Sequence, residues 1–347
     1  MLLRFCYNSI IAEKAGAGSM ANLKDIAAEL GVSISTVSRA LNGSSEISHS
    51  VTEEVRACAE RLGYSVQSRR GAAAAGSNTA GIIVPEITSD YYAQLIQLAK
   101  NAMTAKGYST IIKLTEFKTS EMVQAISFMS QIHVQCLLII MDTEEAMNTQ
   151  IVNAMRRCSS NIMLITSKYY PLHEFDCIYL DEYSGIVMGI QHLQQRGYTR
   201  IGCISDKISA SRITIFKQAM KLLGMTVEPQ YICVGSERGE NGGYLRMKEL
   251  LAMKTPPDAL FCAYDQMAVG ALHAMHENNL HAPEDMAIIG FDNITVSKYI
   301  EGGLTTIENP CEDMISIAVS ILAKRTKNRR SAQQIALRPN LIVRSTT

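Results

Sequence analysis

Between residues 23 and 42, apolar side chains recur at helical spacing, stop at one glycine, and resume. Leu23, Ile26, Ala27 and Leu30 fall at i, i+3, i+4 and i+7, one face of a helix. Gly31 follows, and glycine adopts the left-handed backbone of a helix end without strain. Ser33 is placed to cap a second helix, whose Val37, Ala40 and Leu41 can pack back on the first. The outer face of that second helix carries Ile34, Ser35, Ser38, Arg39 and Asn42. Short hydroxyls, an arginine and an amide make a poor core but match the donor and acceptor edges of a DNA major groove. The pattern predicts a helix-turn-helix with its second helix as the reader.

A third helix follows, with Val51, Val55, Ala59 and Leu62 closing a small core and Gly63 ending it. Residues 65–79 then break the composition: Arg69-Arg70-Gly71, four alanines and Gly76-Ser77-Asn78-Thr79. From Ala80 onward, short β-rich apolar runs alternate with amphipathic helical patterns, which predicts parallel α/β architecture. Strands are expected at 81–85, 109–114, 136–141, 162–166, 177–180, 200–204, 231–234, 259–262 and 286–291. That is too many for one ordinary sheet, so two are expected.

Composition changes this picture in three places. Lys+Arg and Asp+Glu are 33 each, so overall charge gives no drive toward nucleic acid. Residues 20–70 are balanced as well, six basic against six acidic, so a single head is expected to bind weakly. The nine cysteines are scattered singly with no C-x-x-C pair, which predicts reduced, mostly buried thiols in a cytoplasmic protein. No apolar run reaches the roughly 18 residues of a membrane helix. Residues 1–19 faintly resemble a secretory signal, but a DNA-reading head directly after them argues against export.

The run Lys24-Asp25-Ile26-Ala27, then Gly31-Val32-Ser33-x-Ser35-Thr36-Val37-Ser38-Arg39-x-Leu41-Asn42, resembles the DNA-binding head of the LacI/GalR (lactose repressor) family. Further matches are Gly81-Ile82-Ile83-Val84-Pro85, Gln195-Arg196-Gly197-Tyr198, Asp265-Gln266-Met267-Ala268 and Ile289-Gly290-Phe291-Asp292. The resemblance implies an all-helical DNA-binding domain at 20–64, a hinge at 65–79 and a periplasmic-binding-protein-like core of two Rossmann-like subdomains at 80–347. One subdomain is expected from 80–180 with 308–326, the other from 181–305 with 330–345. Residues 1–19 are then an upstream start or a disordered arm, since Met20 stands where such chains usually begin.

The same resemblance implies operator DNA, a small-molecule effector and a homodimer or tetramer as partners, with no cofactor and no metal. DNA contacts fall on Lys24, Ser33, Ile34, Ser35, Thr36, Ser38, Arg39 and Asn42, with Arg69 and Arg70 in the hinge. The hinge departs from the family, with Val66 and Gln67 where Pro and Asn are usual and no large apolar wedge, so less DNA bending is expected.

Effector contacts are expected at Tyr91, Tyr92, Ser167 and Tyr264, near strand ends, while the resemblance implies Arg212, reaching in from a helix start, and Asp292. Arginine, aspartate and aromatics suit a sugar, polyol or sugar acid, while a purine or nucleoside stacked on a tyrosine stays open. Asp265 is expected to cap the helix that it opens.

Other classes fit less well. Gly16-Ala17-Gly18-Ser19-Met20-Ala21 matches a dinucleotide fingerprint, yet no strand leads into it. There is no phosphate loop, no G-x-S-x-G elbow and no histidine metal motif, so an enzyme is not expected. A sugar-binding transport receptor would share the core but lack the head. An activator would share both.

Overall fold

The computed structural model describes residues 22–41, 44, 47–62, 78–141, 148–167, 169, 174–300, 302–324 and 331–347. The chain forms two compact units, 1–77 and 78–347. In the first, helices α1 (Leu23–Leu30), α2 (Ile34–Leu41) and α3 (His49–Arg61) enclose Ile26, Val37, Ala40, Leu41, Val55, Cys58 and Ala59. Asn22 caps α1 by accepting from the Lys24 backbone N–H, and Asp25 accepts from the Asn22 N–H in return, a reciprocal capping box. Gly31 ends the helix at φ 66°. The Ser33 hydroxyl then accepts from the Thr36 N–H at 3.1 Å and starts α2.

The second unit contains two sheets. The first sheet is β1 (Thr79–Val84), β2 (Ser109–Leu114), β3 (Cys136–Met141), β4 (Asn161–Thr166), β5 (Asp176–Leu180) and β11 (Gln334–Leu337), in the order β11-β5-β4-β3-β1-β2. The second is β6 (Ile201–Asp206), β7 (Ile232–Gly235), β8 (Ala259–Cys262), β9 (Ala287–Asp292), β10 (Thr305–Glu308) and β12 (Asn340–Ile342), in the order β12-β10-β9-β8-β6-β7. Pairing is parallel throughout except β12 against β10. Parallel sheets are covered on both faces, which is why β3 and β9 are buried along their whole length.

Helices α4 (Asp90–Ala105) and α11 (Cys311–Lys324) cover one face of the first sheet, and α5 (Thr119–Gln131) and α6 (Thr149–Arg157) the other. On the second sheet α7 (Glu182–Gln195) and α8 (Ser211–Leu222) lie on one face, with α9 (Gly239–Leu251) and α10 (Asp265–Glu277) on the other.

Two expectations about the subdomains are corrected. Residues 330–345 do not belong together: β11 pairs with β5 in the first sheet, Gln334 beside Cys177, and only β12 joins the second. The open edge of β5 is what β11 satisfies, with the Cys177 N–H donating to the Gln333 carbonyl and the Asp181 N–H to that of Leu337, both at 2.8 Å. The second sheet also keeps β10 through Glu308, beyond the expected end at 305.

Asp265 does not cap α10. Tyr264 occupies the cap position, and the fully buried Asp265 carboxylate reaches the loop after β9 instead. It accepts from the Ile294 N–H at 3.0 Å, the Ser297 hydroxyl at 2.6 Å and the Thr306 hydroxyl at 2.5 Å. Burial raises its pKa from 3.8 to about 6, with the hydrogen bonds opposing the rise.

Close packing of α9 on α10 needs glycine at two crossing points. A Cβ on Gly270 would overlap the Glu240 carbonyl, and one on Gly243 that of Met267. Gly270→Ala should cost about 3 kcal/mol in urea unfolding, the upper range for overpacking, because backbone must move to admit it. For Asp265, the native state holds an extra proton between roughly pH 4 and 6. Stability from this group is therefore complete below pH 4 and declines as pH rises to 6. The stability of wild type relative to Asp265→Asn should fall by roughly 2 kcal/mol across that window and stay flat above pH 7.

Candidate DNA-reading surface and effector cleft

In the head, burial divides α2 by function. Val37, Ala40 and Leu41 are in the core, whereas Ser35 and Arg39 are exposed and Thr36 and Ser38 half-buried. Ile34 is 44% exposed, an apolar side chain offered to solvent at the helix start. Lys24 is exposed in the first turn of α1. Ser33 is engaged locally: besides capping, its hydroxyl lies 2.7 Å from that of Ser35 and 2.8 Å from that of Thr36. Asn42, Arg69 and Arg70, with residues 65–77 of the expected hinge, lie outside the described residues, while Thr79, expected as its last residue, already opens β1.

In the larger unit, polar side chains gather at the carboxyl ends of the strands, where open α/β sheets receive ligands. Arg212 enters from the first turn of α8 and is buried. Its Nε and Nη2 donate to Glu182 Oε1 at 2.9 and 2.6 Å, and its Nη1 donates to the Ala263 carbonyl at 2.5 Å. Its Nη2 lies 3.7 Å from Asp292 Oδ1, and the guanidinium rests 4.0 Å from the centre of the Phe291 ring. Asp292 stands at φ 107°, a left-handed backbone that turns the chain out of β9 and presents its carboxylate. The Asn309 side-chain amide donates to Asp292 Oδ1 at 2.8 Å.

A second cluster joins the two subdomains. Tyr264 donates its hydroxyl proton to Asp206 Oδ2 at 2.6 Å and accepts from the Gly239 N–H at 2.9 Å. Arg238 donates to the same Asp206 oxygen at 3.3 Å and to Glu86 Oε2 at 3.0 Å, and lies 4.7 Å above the Phe117 ring. Glu86 and Phe117 belong to the first subdomain, Asp206, Arg238 and Tyr264 to the second. Burial pushes the Tyr264 hydroxyl pKa up, and the Asp206 carboxylate raises it further, so the group stays a donor. Burial opposes the Arg238 charge, but the hydrogen bond and charge of Glu86, then Asp206, hold its pKa above the usual value.

Of the residues expected around an effector, Arg212 and Asp292 are brought together directly. Tyr264 is 7% exposed with its hydroxyl committed, so it shapes the cleft instead of offering a free ring. Tyr92 is buried at 3% exposure and belongs to the core cluster of the first sheet with Leu95, Ala99 and Met314. Its neighbour Tyr91 is half-buried, the two ring centroids 5.2 Å apart. Ser167 is half-buried at the end of β4.

Glu182, Asp206, Arg238, Glu86 and Asn309 were not singled out from sequence. All five sit at or within three residues of a strand end, a signal shared with many turn residues.

The cysteines are packing residues among the described segments. Burial pushes Cys136 and Cys233 to about 11 and Cys311 to about 12, keeping these thiols protonated and unreactive. Among the described residues no group of His, Cys, Asp and Glu is arranged to hold a metal ion, and no helix is long and apolar enough to cross a membrane.

Comparison with known proteins agrees with both halves. Residues 22–67 match the model of bacterial regulatory proteins of the lacI family, and residues 190–347 that of the periplasmic binding protein-like domain. The chain is 29% identical to the ribose operon repressor of Escherichia coli over 332 residues, 94% of this chain and 99% of that protein. It is also 29% identical to the HTH-type transcriptional repressor PurR of Pectobacterium carotovorum, over 94% of this chain and 96% of that one. The fold matches the lac repressor dimer bound to operator and the anti-inducer ONPF, with a TM-score of 0.72 at 22% identity over 94% of this chain and 99% of that chain. Residues 22–67 thus match a lacI-family reading head and residues 190–347 a periplasmic binding protein-like domain, and over most of its length the chain is similar to bacterial repressors that combine the two.

Proposed function

We propose that this protein is a transcriptional repressor whose operator affinity is set by a small polyhydroxylated effector bound between the two core subdomains. The observation that carries the reading is the pairing, in one chain, of an exposed polar α2 surface with a cleft built around Arg212 and Asp292. Ser35, Thr36, Ser38, Arg39 and Ile34 read or position the major groove, and Lys24 meets phosphate. Ser33 contributes mainly by fixing the start of α2. Two chains pair through their cores and present two heads to a pseudo-palindromic site, which compensates for a charge-balanced head.

The ion pair from Arg238 to Glu86 crosses between subdomains, so it favours their closed arrangement. An effector with contacts on both sides favours the same arrangement, and its differential affinity for closed and open cores is what shifts the operator-binding population. Similarity to a ribose repressor supports a carbohydrate-type effector. Equal similarity to PurR supports a purine as the second reading. Screening sugars beside hypoxanthine and guanine for a change in operator affinity separates the two.

Two outcomes are expected. Arg39→Ala should abolish operator binding in a gel-shift titration, while the thermal shift produced by the effector stays that of wild type. Arg238→Ala should weaken effector affinity by about fivefold in calorimetry, which corresponds to roughly 1 kcal/mol for a partly exposed pair. Unchanged affinity would show that this ion pair does not bias closure.

A further inference from the structure

We infer that the cleft selects uncharged polyhydroxylated effectors and rejects their carboxylate counterparts, and that Glu182 is the residue that sets this preference. The inference rests on reading the cleft as the effector site. An unpaired arginine offers a carboxylate two parallel N–H donors, a fork that suits sugar acids well. In this chain Glu182 Oε1 already accepts from both Nε and Nη2 of Arg212, so one edge of the fork is engaged from inside the protein. The Ala263 carbonyl takes Nη1, and Phe291 covers a face of the guanidinium.

Charge points the same way. The Arg212 cation faces two carboxylates, Glu182 and Asp292, and all three side chains are at most 8% exposed. Arg238, on the same subdomain, likewise stands between two carboxylates, Asp206 of its own subdomain and Glu86 of the other. A ligand carboxylate entering either cluster would bring a third negative charge into a poorly solvated place, where like charges repel strongly.

A hydroxyl group carries no such penalty and brings a proton to donate. The cluster is rich in acceptors for it. Beyond the carboxylates, Asn309 is 5% exposed and its Oδ1 is buried with no hydrogen-bond partner among the described residues. A neutral sugar hydroxyl can donate there, whereas a carboxylate cannot. The donor fork that the sequence suggested for a sugar acid is thus converted into a site for neutral polyols by a single internal glutamate.

The test is calorimetry on the full chain at neutral pH, with D-ribose, D-fructose and D-glucose against ribonate, gluconate and glucuronate. At least one neutral sugar should bind, with its acid weaker by about a hundredfold, the effect of a like charge placed near a buried pair. Glu182→Gln should narrow that ratio at least tenfold, because it removes a negative charge beside Arg212 while keeping an acceptor for the guanidinium. Asp292→Asn, which removes the other carboxylate, should narrow it too and serves if the first variant does not fold.

An acid that binds wild type as tightly as its neutral parent, or a ratio unchanged in both folded variants, overturns the selectivity claim. Operator binding is measured beside the calorimetry with each compound. If no compound of either class binds or alters operator affinity, the carbohydrate reading falls, and the selectivity claim with it.

Discussion

The buried contact of Arg212 with Glu182 and Asp292 ties the binding core together. Each residue comes from a different place: Glu182 from the turn into α7, Arg212 from the start of α8, and Asp292 from the end of β9. A lone guanidinium with so little solvent would be costly, and so would either carboxylate alone. Their mutual pairing lets a polar cluster persist beside the apolar layer of Phe216, Phe261 and Phe291. The Ala263 carbonyl and the Asn309 amide join the same network.

The sheets explain why the cluster lies where it does. In a parallel sheet every strand ends on the same side, and each following helix begins there. Side chains at those junctions converge although they are far apart in the chain, as Asp206 and Tyr264 do at the ends of β6 and β8. Asp265 does related work nearby, anchoring the loop after β9 through Ile294 and Ser297, and strand β10 through Thr306, to the start of α10. The exit of Asp292 from its strand is thereby held from behind, at the expense of keeping a carboxylate fully buried.

The head follows a different logic, in which local signals suffice. Asn22 with Asp25, Gly31 and Ser33 set the ends of α1 and the start of α2 through bonds spanning two or three residues. Spacing of Ile26, Val37 and Val55 then determines which faces turn inward. The outward face of α2 is what remains, and its chemistry could be read directly from the chain. The capping box escaped notice because Asn22 and Asp25 had no apolar pattern to draw attention to them.

Sequence by itself determined the helix-turn-helix, the α/β character of residues 80 onward and the candidacy of Arg212 and Asp292, because these rest on short-range periodicity and on motif positions. Tertiary structure alone decided what Arg212 holds, since its partner Glu182 is thirty residues away and sequence distance carries no information about side-chain approach. It also decided that Tyr92 turns into the core while Tyr91 stays half-buried, a difference of one helical step. And it sent β11 to the first sheet and β12 to the second, because an unpaired strand edge is filled by whichever segment the crossing chain brings to it.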